Sequence, residues 1–275
     1  MNTFLASHAI RRISTRELRT QGWHPRHITA AVADGRLRRL RRGWYALTSV
    51  PESAAFAAEH GGRIDCVWLL AELGVFVLDR SRPHIQIDRG ASRVPTPPDG
   101  WVRHWRESTA ERDDIMAPIV QALVQAVRCQ GIRAAIATMD SAWHLGLVGE
   151  DDIGAVFELL PRRYRRMRGL LDPRSESGPE TLVRLMLRAT GASIELQVLI
   201  DGVGRVDLVV DGWLVIECDS RAHHSSMEAQ LNDRRRDLAL AALGYCVLRL
   251  LAEDIMYHPD RVQAALRGIL RNRRP

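Results

Sequence analysis

The chain has 275 residues, of which 46% are hydrophobic and 26% charged, which gives room for about two packed domains. It contains no run of about 20 apolar residues and no signal-peptide stretch at its N-terminus, so no membrane partner is expected and a cytoplasmic location is. The formal net charge of +6 is uneven: residues 1–48 carry ten arginines against Glu17 and Asp34, a net of +8, whereas residues 49–174 and 175–275 each stand at −1. A basic footprint confined to about 50 residues suggests a polyanion-binding module joined to near-neutral domains.

Residues 1–48 read as a helix-turn-helix with a wing. Ser14-Thr-Arg-Glu17 fits a capping box that opens a short helix. Pro25 suits the first turn of a second helix, with Ile28, Ala31 and Val32 on its apolar side. Asp34-Gly35 signals a turn. The run Arg36 to Leu47 reads as two short strands around Arg41-Arg42-Gly43. Double-stranded DNA is the expected partner, with Arg26 and His27 meeting the groove and Arg36, Arg38, Arg39, Arg41 and Arg42 meeting phosphates or the minor groove.

Residues 52–170 read as a small α+β middle domain. Ala54–Leu73 is helical in pattern but interrupted at Gly61-Gly62. Ile85-Gln-Ile and Trp101 to Trp105 suggest strands. Pro118–Ala137 and Asp151–Leu160 suggest helices. His84, His104 and His144 look scattered, with no sign of the convergence a metal site needs. The four cysteines, Cys66, Cys129, Cys218 and Cys246, show no C-x-x-C spacing and are expected to be buried free thiols. Arg162 to Arg168 reads as a solvated helix end or a phosphate contact.

From residue 175 the pattern becomes regular. An amphipathic helix over Pro179–Ala189 precedes strands at about 193–200, 204–210 and 213–219, then a helix at 227–243, a strand at 245–250, and a last helix from near Pro259 to about Leu270. Asp207, Glu217 and Asp219 sit in apolar strands, where an uncompensated carboxylate costs several kcal/mol. Carboxylates converging on one sheet suit a hard divalent cation. Glu217 and Asp219 share a face. A two-residue turn at Asp211-Gly212 would set Asp207 against Ile216. An odd-length loop, or a bulge, would set it against Glu217, and only that register permits a shared metal. Glu180 is either a fourth carboxylate or the end of a capping box, since Ser177-Gly-Pro-Glu180 fits that pattern. Gln197, near mid-strand, is a candidate accessory residue. Asp233, Arg236 and Asp237 lie three and four apart on a helix, so Arg236 either pairs with both acids as part of a salt-bridged surface or also points an N–H at a phosphate.

The order Glu180, Gln197, Arg-Val-Asp207, Ile-Glu217-x-Asp219, His224-Ser and Asp233-Arg-Arg-Arg-Asp237 resembles the PD-(D/E)XK nuclease superfamily, and most closely the branch related to the very-short-patch-repair (Vsr) endonuclease. The resemblance covers residues 175–275. It implies an α/β (α+β) restriction-endonuclease-like mixed sheet flanked by helices, preceded here by the winged helix and the middle domain. It also implies a Mg²⁺- or Mn²⁺-dependent endodeoxyribonuclease, with Asp207, Glu217 and Asp219 as metal ligands. The superfamily's lysine, two residues after the glutamate, is Asp219 here, and all 39 basic residues are arginine. Proton transfer would then fall to His224 or Glu180, with Arg236 stabilising charge on the phosphorus. The family's glycine after that aspartate is Ser220. Residues 1–48, through Arg16-Glu-Leu, Gly35-Arg-Leu-Arg-Arg and Arg42-Gly-Trp-Tyr, resemble the winged helix of AbiEi-like type IV antitoxins. That resemblance implies transcription regulation or phage defence. The alternative function is therefore an antitoxin-like regulator with an inactive nuclease fold and a cognate toxin as partner. Helix-turn-helix proteins often dimerise on palindromes, so a homodimer stays open although no zipper pattern is present.

Overall fold

The computed structural model describes residues 10–219 and 227–272. Two compact units account for the chain. The first comprises residues up to 75, 79–129 and 150–160, and the second 76–78, 130–149 and 161 onward, so the stretch 52–170 is shared between them. Among the described residues no helix is long and apolar enough to cross a membrane.

The first unit begins with a small winged helix. Strand β1 (Ile13–Ser14) leads into α1 (Thr15–Thr20), followed by α2 (Pro25–Ala33), β2 (Leu37–Arg41) and β3 (Trp44–Leu47). The strands pair in the order β1-β3-β2. The capping box at Ser14 and Glu17 is present, and Pro25 opens α2. Ile13, Leu18, Ile28, Ala31 and Leu37 form the core. The β2–β3 ladder shifts register between Arg39 and Arg41. That extra residue lets Leu37 and Leu40, three apart, both turn inward.

Beyond the wing, Ala54–Leu73 is two helices, α3 (Glu52–Glu59) and α4 (Cys66–Glu72), separated by β4 (Arg63–Ile64). Gly62 explains the break. A Cβ there would lie 2.7 Å from the Gln86 carbonyl oxygen, so only glycine lets the chain approach the next strand this closely. Strand β5 (His84–Asp88) pairs antiparallel with β4 and parallel with β6 (Val102–Arg106). Helices α5 (Ile119–Cys129) and α7 (Glu150–Leu159) complete the unit. The single helix expected over 118–137 is broken at Gln130-Gly131, and its second half begins α6 (Ile132–His144) of the second unit.

In the second unit a 3₁₀ helix (Arg162–Leu170) precedes α8 (Gly178–Arg188). Its arginines are largely solvated and only Met167 is buried. Strands β7 (Ile194–Ile200), β8 (Gly204–Val210) and β9 (Leu214–Asp219) form an antiparallel meander. Helix α9 (Met227–Ala242) then crosses to β10 (Cys246–Leu251), which lies parallel to β9 at the sheet edge. The chain continues as α10 (Ala252–Tyr257) and α11 (Pro259–Asn272). Sequence periodicity does not reveal α10, a helix of six residues. The result is a mixed α+β unit consistent with a restriction-endonuclease-like fold. One sheet face packs on α8, α10 and α11 through Leu182, Met186, Leu208, Ile216, Ile255 and Leu266. The other face carries Val206, Val209 and Val215, which cluster with Leu240 of α9.

Helix α6 is tied to α8 by a buried ion pair. Arg184 Nη2 lies 2.7 Å from Asp140 Oδ2, and Thr181 Oγ1 donates to the same oxygen at 2.9 Å. The Asp172 N–H donates to Asp140 Oδ1 at 2.9 Å. Burial still pushes the Asp140 carboxyl up to about 6. Removing one member strands the other charge, so Asp140→Ala or Arg184→Ala should each destabilise the chain by about 3–5 kcal/mol. The double change Asp140→Leu/Arg184→Met should cost less than either single change in urea unfolding. Additive losses would contradict the pairing.

Candidate functional site

The carboxylates of the second unit are brought together by a turn. Asp211 (φ 49) and Gly212 (φ 72) both occupy the left-handed region, and the Trp213 N–H donates to the Val210 carbonyl at 3.1 Å, closing a two-residue turn. Trp213 is then one residue too many, and the ladder resumes as Val210 with Leu214, Val209 with Val215, and Leu208 with Ile216. Continued by one step, that register sets Asp207 opposite Glu217. Asp207 Oδ2 accepts the Cys218 N–H at 2.8 Å.

A second irregularity faces the first. Gln197 sits in mid-strand at φ 53, a conformation rare for a non-glycine residue and frequent at functional sites. The two-residue alternation of side chains breaks there. Leu196 belongs to one core and Val198 to the other, and across the ladder Leu208 and Val206 divide the same way. Gln197 and Asp207 are the residues between. Gln197 Nε2 donates to Glu180 Oε2 at 2.9 Å, and the Glu176 N–H donates to that oxygen at 2.8 Å. Glu180 is therefore not the far half of a capping box. Ser177 caps its N–H at 3.3 Å, but its carboxylate turns inward, where it is 4% exposed.

The electrostatics are those of too many acids for the cations present. Burial raises the Glu180, Asp207 and Glu217 carboxyls, and the Asp207 charge further raises Glu180 and Glu217. Glu217 is pushed up to about 7, against the pull of Arg236 and Arg249. Its Oε1 is buried and accepts no hydrogen bond, although Arg236 Nη2 lies 3.0 Å away. A buried carboxylate oxygen that has a cationic side chain beside it but no hydrogen bond, with a second buried carboxylate next to it, suits a cation. The ligand atoms of Glu180, Asp207 and Glu217 do not close into a tight trio, however. Among the described residues the one group of three or more mutually close Cys, His, Asp or Glu side chains lies elsewhere. Two carboxylates are enough for Mg²⁺, which keeps several waters and takes ligands from a bound phosphate.

Asp219, half-buried at the end of β9, lies opposite Leu251 of β10. Arg236 does not pair with Asp233 and Asp237. It pairs with Glu217 and donates to the Arg205 carbonyl. Asp237 instead holds Arg249 Nη2 at 2.8 Å, with Asp233 adding to the field there. The reason is topological: α9 lies on the sheet, so its arginine turns toward a buried acid instead of along its own helix. Sequence reasoning misses Arg249 and Glu176. Arg249 carries a signal, a charge within the apolar run of β10, and it pairs across the ladder with Glu217. Glu176 lies in a linker and carries none. His224 lies outside the described residues. The expectation of four buried thiols holds for Cys66 alone: Cys218 is half-buried, and Cys129 and Cys246 are exposed at a helix end and on the edge strand. His84 and His104, which look scattered in sequence, come into contact.

In the winged helix, Arg26, His27, Arg39 and Arg42 are exposed, and Arg41 is half-buried. Arg36 is held by Asp34, Nη2 to Oδ2 2.7 Å, and Arg38 by Glu59, Nε to Oε1 2.8 Å. Two of the five wing arginines are thus already paired with carboxylates.

Comparison with known families gives two matches. Residues 180–270 match the restriction-endonuclease-like family REase_MTES_1575. Residues 3–48 match a family described as a transcriptional regulator, AbiEi antitoxin. No curated protein matches the chain. The chain thus joins an AbiEi-type N-terminal domain to a restriction-endonuclease-like C-terminal domain. The first suggests DNA binding, and the second implies use of a divalent metal.

The pairing pattern predicts unequal roles for the wing arginines. Each arginine that no longer neutralises a phosphate should reduce the slope of log K against log salt by about 0.9. Arg39→Ala and Arg42→Ala should each show that change in fluorescence anisotropy on duplex DNA, and Arg36→Ala and Arg38→Ala should show less. Equal effects at all four positions would contradict the pattern.

Proposed function

We propose that the protein is a metal-dependent DNA endonuclease, of a defence or repair type, whose winged helix supplies affinity for duplex DNA. The reading is supported by the Leu208–Ile216 register, which continued by one step would set Asp207 opposite Glu217, and by a buried Glu217 oxygen that has an arginine beside it but no hydrogen bond. Asp207 and Glu217 would hold Mg²⁺ or Mn²⁺, with Asp219 further along the same strand as an additional ligand. When bound, the ion would supply electrophilic activation of the phosphate and of a water.

The remaining roles belong to the chain's own side chains. Glu180, fixed by Gln197 and the Glu176 N–H, presents a buried carboxylate whose raised pKa suits it to accept a proton from the attacking water. His224 is the other candidate base, because no lysine exists to serve. Arg236 balances Glu217 at rest and can donate its N–H groups to a phosphate oxygen instead. Arg249, fixed by Asp237, backs the same acid from the neighbouring strand. The affinity to the Vsr-related branch rests on the same order of motifs.

A second reading has its own support. Glu217 is already engaged by Arg236, and the superfamily's lysine is missing, as expected of a nuclease fold that no longer cuts. The protein would then be an AbiEi-like regulator that acts by binding DNA and meets a cognate toxin.

Plasmid incubation separates the two readings. The endonuclease predicts nicking of supercoiled DNA that needs Mg²⁺ or Mn²⁺, stops with chelator, and falls at least about 100-fold in Asp207→Asn and Glu217→Gln. Metal-dependent nicking that survives Asp207→Asn would remove the site assignment. Tight promoter binding with no cleavage of any DNA would favour the regulator.

A further inference from the structure

A second cluster of metal-binding side chains lies in the first unit, far in sequence from the carboxylates. Cys66, His84, His104 and Cys129 each offer one ligand atom, and the four atoms all lie within 4.8 Å of one another. His84 Nδ1 lies 3.1 Å from His104 Nε2, and Cys129 Sγ lies 3.9 Å from the same nitrogen. A tetrahedral zinc with ordinary Zn–N and Zn–S bonds separates its ligand atoms by roughly 3.3 Å between nitrogens and 3.6 Å between nitrogen and sulfur. The His84–His104 and His104–Cys129 spacings are within a few tenths of an ångström of these values, and the remaining pairs, all within 4.8 Å, would draw in as the ion binds.

The fold positions each ligand separately. Cys66 opens α4 and Cys129 ends α5, two helices of the same unit. Cys66 is held at φ 56, a backbone conformation rare for a non-glycine residue. His84 begins β5. His104 lies across the parallel ladder, opposite Gln86, so the two imidazoles are diagonal neighbours on one face. Cys66 and His84 are buried and Cys129 is exposed, so the cluster reaches from the interior to the surface.

The surroundings resemble the support that metal ligands usually receive. The Asp65 carboxylate, fully buried beside Cys66, is fixed by Arg106 Nη2, 2.9 Å from each oxygen, and its charge reaches His104. Gln125 Nε2 donates to Cys129 Sγ at 3.3 Å. Sequence spacing could not reveal the group, because its members come from four separate elements with none of the short intervals of zinc fingers.

We propose that Cys66, His84, His104 and Cys129 form a structural Zn²⁺ site that clamps β5 and β6 to α4 and α5. Two thiolates and two imidazoles select a soft or borderline ion over Mg²⁺. Four protein ligands leave no position for substrate, which makes the role structural. The site is independent of the proposed endonuclease centre.

The test uses the reduced full-length chain. Plasma mass spectrometry should find one zinc per chain after purification. Replacement with Co²⁺ should give the intense visible bands of tetrahedral cobalt and a thiolate-to-cobalt charge-transfer band. Cys129→Ser, exposed at a helix end and therefore tolerable to the fold, should lose roughly half of the charge-transfer intensity. His104→Ala should weaken Co²⁺ binding at least tenfold. Cys246→Ser and Asp207→Asn should leave the zinc content, the tetrahedral bands and the charge-transfer band unchanged, which separates this site from the carboxylates. A chain that takes up Co²⁺ without tetrahedral bands would overturn the proposal. So would a Cys129→Ser spectrum identical to wild type, or a Cys66–Cys129 disulfide that persists under reducing conditions.

Discussion

The candidate active site depends on one extra residue in a turn. Asp211-Gly212 closes a two-residue hairpin, and Trp213 intervenes before pairing resumes. Without Trp213 the register would set Asp207 against Ile216, and Glu217 would face the other way. With it, two carboxylates from adjacent strands meet in a partly buried setting. Their mutual repulsion and desolvation push Glu217 up to about 7. The site is thus electrostatically unfinished in the protein alone, and two arginines from α9 and β10 supply the compensation available. A strained Gln197 on the opposite side of Asp207 completes the arrangement by breaking the strand alternation, so that Glu180, from a helix on one face, reaches a residue whose neighbours pack on both.

Much of this is legible in sequence for a simple physical reason. Carboxylates inside apolar strands are costly, so Asp207 and Glu217 stand out by residue type alone. The capping box at Ser14 and the Pro25 start of α2 are equally local and equally readable. The register is legible only as a condition, because hydrophobic pattern does not distinguish a two-residue from a three-residue connection. The partners of Arg236 and Asp237 are not legible. Helical spacing offers them to each other, and tertiary packing gives them to Glu217 and Arg249 instead. The convergence of Cys66, His84, His104 and Cys129 is invisible for the same reason, since each residue looks ordinary in its own element.

The two matched families pose a physical question as well as a functional one. An AbiEi-type winged helix with exposed Arg26, Arg39 and Arg42 supplies charge for any duplex, and so contributes affinity without deciding the fate of the bound DNA. On the proposed function, that decision would rest with the C-terminal carboxylates. An all-arginine chain removes lysine as a proton-transfer group, because guanidinium stays protonated at any physiological pH. If the site cuts, its base is a carboxylate or His224. If it does not, the Arg236–Glu217 pair is the resting state of a fold kept for other reasons.

Everything proposed for the second unit therefore turns on whether Asp207 and Glu217 together hold a divalent ion, and this can be measured without any substrate. Titration of the chain with Mn²⁺, monitored by electron paramagnetic resonance of the free ion, counts bound metal directly. One oxygen-ligated Mn²⁺ per chain is expected, lost in both Asp207→Asn and Glu217→Gln and retained in Cys129→Ser. Binding unchanged by either carboxylate substitution, or no Mn²⁺ bound by the wild-type chain, would contradict a shared metal at these two residues.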